Sequence, residues 1–273
     1  MIWLKLRKKT ARIALLLGIP YFLVLTAVFL GQRHLLYFPE KLPYGLSLVI
    51  AQRSGFEPWH NSAGQVIGWK QICKTNGPRD RVLVTHGNAG SALNRVDFAD
   101  SLKLVGSFDV YIVEYPGYGA RPGSPSQQSL CEAADEAILL LAKDGPVYVI
   151  GESLGTGVAA YLAGAHPQSV AGLLLIAPYH NLGDVAQHQM PVFPAKWMLW
   201  DRFPSAENLR NYQGRVAVLL AGQDTVVPNK FGRRLYDSYA GPKKVWEVPE
   251  ATHNDLPNRP EAWWRELVAF WKS

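Results

Sequence analysis

The stretch Val147-Tyr148-Val149-Ile150-Gly151-Glu152-Ser153-Leu154-Gly155-Thr156-Gly157 limits what this chain can fold into more than any other. Its apolar start predicts a buried strand, and the small residues after it predict a helix packed closely on that strand. Gly-x-Ser-x-Gly between the two predicts a sharp turn with Ser153 at its apex. A serine so placed projects its hydroxyl away from the backbone, and the amide of Leu154 points to where an oxyanion would form. Side chains at Gly151 and Gly155 would hold strand and helix apart. The competing reading is an ordinary glycine-rich turn with an exposed serine; the flanking strand and helix patterns favour a nucleophile.

The rest of the chain repeats the alternation. Residues 66–73 alternate as a strand does, and apolar runs follow at 82–85, 110–113, 173–176, 216–220 and 245–248. Helical stripes separate them: Val96, Ala99, Leu102 and Val105, then Leu130, Ala134, Ile138 and Leu141. Strands that are apolar throughout and divided by helices predict a mostly parallel sheet covered on both faces, the α/β class. A last helix from about Pro260 to Trp271 would lay Trp264, Leu267, Val268 and Trp271 on it. With 273 residues, 48% of them hydrophobic, the chain can bury one large core.

Ahead of that region, residues 13–31 form a run of nineteen without a charge. Lys5, Arg7, Lys8, Lys9 and Arg12 precede it with no acid among them, so they hold five of the six net positive charges. A helix of that length nearly spans a hydrocarbon core, and Pro20 is a candidate kink. Val28-Phe29-Leu30-Gly31 lacks the small-x-small pattern of a cleaved signal peptide, so residues 1–31 are expected to be an uncleaved anchor. The basic cluster would stay in the cytoplasm and place the catalytic domain, residues 32–273, on the other side of the membrane. Residues 32–58 read as irregular, with Tyr37 and Phe38 either at the interface or covering the domain. The nearly neutral remainder gives no basic face for nucleic acid. Cys73 and Cys131 show no metal-ligand spacing and read as small buried residues, or as a pair if the compartment is oxidising.

In an α/β sheet, ligands bind beyond the carboxyl ends of the strands. Asp224 follows the strand at 216–220, and His253 follows the one at 245–248. The order Ser153, Asp224, His253 suits nucleophilic catalysis: the imidazole takes the hydroxyl proton, and the carboxylate holds the ring in the right tautomer. Taken singly, His253 could be an exposed loop histidine and Asp224 a turn carboxylate; the shared placement argues for a joint role. Asp255 is a weaker candidate acid, being too near His253 in sequence to reach its far nitrogen. His86 reads as a stabiliser of its loop, and His180 as a surface-loop residue. The loop His86-Gly87-Asn88-Ala89-Gly90 would aim a second amide, that of Asn88, at the oxyanion. It lacks the Gly-Lys-Ser/Thr ending and the GxGxxG spacing of nucleotide loops. No cofactor and no metal are expected.

With these residues in place the chain resembles the α/β-hydrolase superfamily, and within it the single-pass, membrane-anchored branch whose oxyanion loop reads HGNAG. The likeness runs from Leu36-Tyr37-Phe38-Pro39 onward through HGNAG (86–90), EYPGYGARPGSPS (114–126), GESLGTGVA (151–159), LAGQDTVVP (220–228) and THND (252–255). It implies Ser153 as nucleophile, Asp224 as acid, His253 as base, and the Asn88 and Leu154 amides as oxyanion donors. Similar proteins cleave lysophospholipid esters, protein-bound acyl thioesters or small carboxylic esters. Arg121-Pro122 and Ala251-Thr252 depart from the usual pattern and are expected to alter the pocket mouth.

Residues 178–215 are too long for a plain connection and are expected to form a cap. Met190, Phe193, Trp197, Met198, Leu199, Trp200 and Phe203 there either face the cleft or pack the cap onto the body. With an anchor nearby, an apolar cleft suggests lipid-like or acyl esters hydrolysed through an acyl-enzyme. A thioesterase or peptidase would use the same triad. A silent, membrane-tethered interaction domain would be expected to lack one triad position, and all three are present.

Overall fold

In the computed structural model, which describes residues 2–72 and 79–273, eight strands pair into one sheet. They are β1 (Phe56–His60), β2 (Val66–Gln71), β3 (Asp80–Thr85), β4 (Phe108–Val113), β5 (Val147–Glu152), β6 (Val170–Ile176), β7 (Arg215–Ala221) and β8 (Lys243–Val248). Their spatial order is β8-β7-β6-β5-β3-β4-β2-β1. All pairs from β4 to β8 are parallel; β2 joins β4, and β1 joins β2, antiparallel. β5, the strand that leads to Ser153, therefore lies centrally.

The two-residue period of each strand sends alternate side chains into two cores. Val147, Val149, Leu173 and Leu175 enter one, with α4 (Gln127–Leu141), α5 (Leu154–Ala165) and α9 (Asn229–Ser238). Ile150, Leu174, Ala217 and Leu219 enter the other, with α2 (Tyr44–Arg53), α3 (Asp97–Lys103) and α10 (Glu261–Lys272). On α10 the expected Trp264, Leu267, Val268 and Trp271 are buried, with Trp263 beside them. Trp271 Nε1 donates to the Leu173 carbonyl at 3.1 Å and ties α10 to β6.

Residues 32–58 are more ordered than their pattern suggests. They hold the end of α1 (Ile2–Leu36), then α2 and β1. Only Ser47 and Ala51 of α2 are buried, too few apolar residues to leave a stripe. Tyr37 is buried and Phe38 exposed, so the aromatic pair divides. α1 runs unbroken through Pro20 and past residue 31. Its segment Leu15–Leu36 has a mean hydropathy of 2.0 and is long and apolar enough to cross a membrane. Cys73 lies outside the described residues; Cys131 is free and buried.

The insertion carries α6 (Leu182–Gln189), α7 (Ala195–Met198) and α8 (Ser205–Asn208). α8 sits on α5 and α6 on α7, whereas α7 and the turn before it meet α1. Gln32 Oε1 accepts from the Trp200 amide at 2.7 Å and Gln32 Nε2 donates to the Met198 carbonyl at 3.3 Å. Phe29 packs edge-on against Trp200 at 5.0 Å, and Arg33 pairs with Asp201 at 3.1 Å.

Candidate active site

Ser153 occupies the turn between β5 and α5 with φ 51° and ψ −119°, a region that non-glycine residues rarely adopt. The turn is as tight as the glycine spacing suggests. A Cβ on Gly155 would lie 2.0 Å from the Thr85 carbonyl oxygen, and one on Gly151 2.8 Å from the Gly155 carbonyl oxygen. The Ser153 amide donates to the Ile176 carbonyl at 2.8 Å, and Thr156 Oγ1 donates to the Ser153 carbonyl at 2.6 Å. These bonds hold the strained residue in place.

Two further loops converge on it. The Gly222 amide donates to the Val248 carbonyl at 2.9 Å and the Gln223 amide to the Ala251 carbonyl at 3.0 Å, so the loops after β7 and β8 lie side by side. Asp224 and His253 consequently face each other. His253 Nε2 is 3.0 Å from Ser153 Oγ, and His253 Nδ1 is 2.7 Å from Asp224 Oδ2. Asp224 Oδ1 also accepts from the Val226 and Val227 amides at 2.8 and 2.7 Å. The carboxylate therefore orders its own turn and also orients the ring. This chain of hydrogen bonds lets the imidazole take a hydroxyl proton while the carboxylate fixes the tautomer. Asp255 accepts from Thr252 instead and takes no part in it.

Asn88 and Leu154 line the same pocket as Ser153. Among the described residues neither of their backbone amides has a hydrogen-bond acceptor. The loop of Asn88 is clamped from behind: its carbonyl accepts from the Phe38 amide and from Tyr118 Oη, each at 2.8 Å, and its side chain donates to the Leu36 carbonyl at 2.9 Å.

His86 is fully buried and donates from Nδ1 to the Gly87 carbonyl at 2.9 Å, in keeping with its expected role. Its Nε2 lies 3.7 Å from Glu114, the first residue of the EYPGYGARPGSPS stretch, for which the sequence suggests no role. Glu114 accepts from the Ala92 amide and from Trp69 Nε1. Burial lowers the His86 imidazole to about 3 and raises the Glu114 carboxyl to about 7.

Two expectations are corrected. His180 is no surface residue: it is buried, bonded to Asp184 at 2.6 Å and stacked on Phe231, because the insertion folds back over it. Arg121 is not at the pocket mouth; it reaches Glu136 and the Ile67 and Glu114 carbonyls, away from Ser153.

The pocket in front of Ser153 has a volume of about 270 Å³ and is walled mainly by apolar side chains. Met190, Phe193, Met198 and Leu199 of the insertion face it. Trp197 is largely exposed, Trp200 is half-exposed against Phe29, and Phe203 packs against Gly157 of α5, so the insertion divides its apolar residues among cleft, surface and body. The opposite wall was not expected: Val28, Phe29, Gln32, Leu35 and Leu36 of α1 supply it. Among the described residues no group of three or more His, Cys, Asp or Glu is placed to hold a metal.

A mostly parallel eight-stranded sheet in this order, with a strained serine at the end of its central strand, defines the α/β-hydrolase fold. The chain belongs to the α/β-hydrolase family: residues 80–198 match the family model for the alpha/beta hydrolase fold. An uncharacterized protein of Mycobacterium tuberculosis is 33% identical over 246 residues, covering 85% of this chain and 84% of that protein. Lysophosphatidylserine lipase ABHD12 of Bos taurus is 30% identical over 227 residues, covering 74% of this chain and 56% of that protein. The esterase PF2001 of Pyrococcus furiosus superposes with a TM-score of 0.66 at 15% identity, over 87% of this chain and 97% of that one, a likeness of fold alone.

Proposed function

We propose that the protein is a membrane-anchored serine hydrolase that cleaves lipid-like carboxylic esters. The observation that carries this reading is the Ser153–His253–Asp224 chain of hydrogen bonds at the end of an apolar pocket. Ser153 attacks the ester carbonyl while His253 takes its proton, and the Asn88 and Leu154 amides receive the oxyanion. His253 then returns the proton to the leaving alcohol, and water, activated by the same imidazole, releases the acid from the acyl-enzyme.

In this reading residues 1–31 form the anchor, residues 32–273 the catalytic domain and residues 178–215 its cap. The HGNAG loop supports the single-pass branch of the family, and the basic residues ahead of the anchor support a catalytic domain on the non-cytoplasmic side. The lipase name of the ABHD12 relative and the apolar walls of the pocket support a lipid-like substrate.

The test is labelling with an alkyl fluorophosphonate together with turnover of a graded series of acyl esters. Ser153→Ala is expected to abolish labelling and to lower turnover by about 10³-fold or more, with an unchanged melting temperature. Full labelling of that folded variant would refute the assignment.

A further inference from the structure

The tip of the insertion lies beside the middle of the apolar helix, not beside its end. Tyr21 Oη donates to the Val192 carbonyl at 2.9 Å, and the Tyr21 ring stacks on Phe193 at 6.0 Å. Arg33, which pairs with Asp201, lies twelve residues further along α1. At about 1.5 Å per residue the two contacts are about 18 Å apart along the helix axis, over half of a hydrocarbon core of about 30 Å. A helix that spans the bilayer with Arg33 at the polar boundary therefore carries Val192 and Phe193 through the leaflet to about the middle of the bilayer. Were the tip to stay in water, only residues 13–20 of the uncharged run, about 12 Å of helix, would be left to cross.

The tip is built for such a medium. Residues 189–200 contain one charged side chain, Lys196, whose Nζ is held by Asp184 at 2.5 Å. Val192 and Trp197 are 70% and 75% exposed, an unfavourable arrangement in water and a favourable one in lipid. Backbone polar groups in hydrocarbon need partners within the protein. Here the Phe193 carbonyl accepts from Gln187 Nε2 at 2.8 Å, the Val192 carbonyl from Tyr21, and the Trp200 amide donates to Gln32. The pocket is bounded by these same two surfaces, Val28 and Phe29 on the helix and Met190, Phe193 and Met198 on the insertion.

We propose that residues 190–200 form a second membrane-inserted element in the leaflet next to the catalytic domain, and that the pocket receives its acyl chain from that leaflet, between α1 and the tip. The substrate class is then an ester lipid resident in the bilayer. The proposal rests on the reading of α1 as an anchor and of Ser153 as the nucleophile.

Two measurements on the full-length protein in phosphatidylcholine vesicles test it. Val192→Cys carrying a nitrobenzoxadiazole reporter, with the labelled wild type as background, should be quenched more by a nitroxide at mid-acyl chain than by one at the headgroup. Quenching by aqueous iodide in place of the lipid nitroxides would overturn the insertion. Trp197→Glu and Val192→Asp should lower hydrolysis of an oleoyl lysophospholipid held in the vesicles about tenfold while changing p-nitrophenyl butyrate turnover less than about twofold. An unchanged vesicle rate in both variants would overturn entry from the leaflet. Retention of both activities by Ser153→Ala would instead count against the nucleophile, and the nitroxide result would still decide the tip.

Discussion

Ser153 holds its hydroxyl toward His253 at the cost of a strained backbone, which for a non-glycine residue is of order 1–3 kcal/mol. Ser153→Gly and Ser153→Ala both remove the hydroxyl, but only glycine relieves the strain. Chemical denaturation should find the glycine variant about 1 kcal/mol the more stable, part of the relief being offset by its freer unfolded chain. The buried residues Glu114 and His86 act on stability through pH with opposite signs. From 4.5 to about 7 the folded state keeps a proton on Glu114 that the unfolded chain has lost, so this contribution falls as pH rises. From 6.5 down to about 3 the unfolded chain binds a proton that buried His86 refuses, so stability falls as pH drops. Glu114→Gln should therefore gain about 3 kcal/mol relative to the wild type between pH 4.5 and pH 7, seen as a change of slope in denaturation midpoints. The serine, aspartate and histidine were legible because each follows an apolar strand. Glu114 was not, since its partners Trp69 and Ala92 come from separate parts of the chain.

Among the elements, β5 and α5 were legible as a unit because their contact is local: Gly151 and Gly155 meet within one turn. The helix α2 was not, because a surface helix burying two small residues has no apolar stripe to read. The junction of α1 with the insertion depends on Gln32, which is buried and bonds Phe29, Met198 and Trp200. Gln32→Ala would leave the Trp200 amide without its acceptor and is expected to cost about 1–3 kcal/mol, measurable by denaturation in detergent. Because Gln32 also lines the pocket, the same variant should raise KM for long-chain esters more than it lowers kcat.

At the scale of the whole molecule, the apolar helix both reaches beyond the sheet and its covering helices and walls the pocket in front of Ser153. A fragment beginning at Gln32 lacks Val28 and Phe29 and so part of one wall of the pocket. It is expected to keep fluorophosphonate labelling and short-ester turnover while losing any preference for long acyl chains, as a chain-length series against the full protein would record. Equal profiles would mean that α1 contributes nothing to substrate selection. The α/β order, the parallel sheet and the placement of Ser153, Asp224 and His253 at strand ends could be read from residue order alone, because hydrophobic period and glycine spacing are local properties. The enclosure of the site could not. Tyr21 and Val192 stand 171 residues apart, Gln32 and Trp200 168, and nothing in either segment encodes its partner. Folding alone brings the apolar helix onto the insertion, and only then do two apolar surfaces become the walls of one pocket.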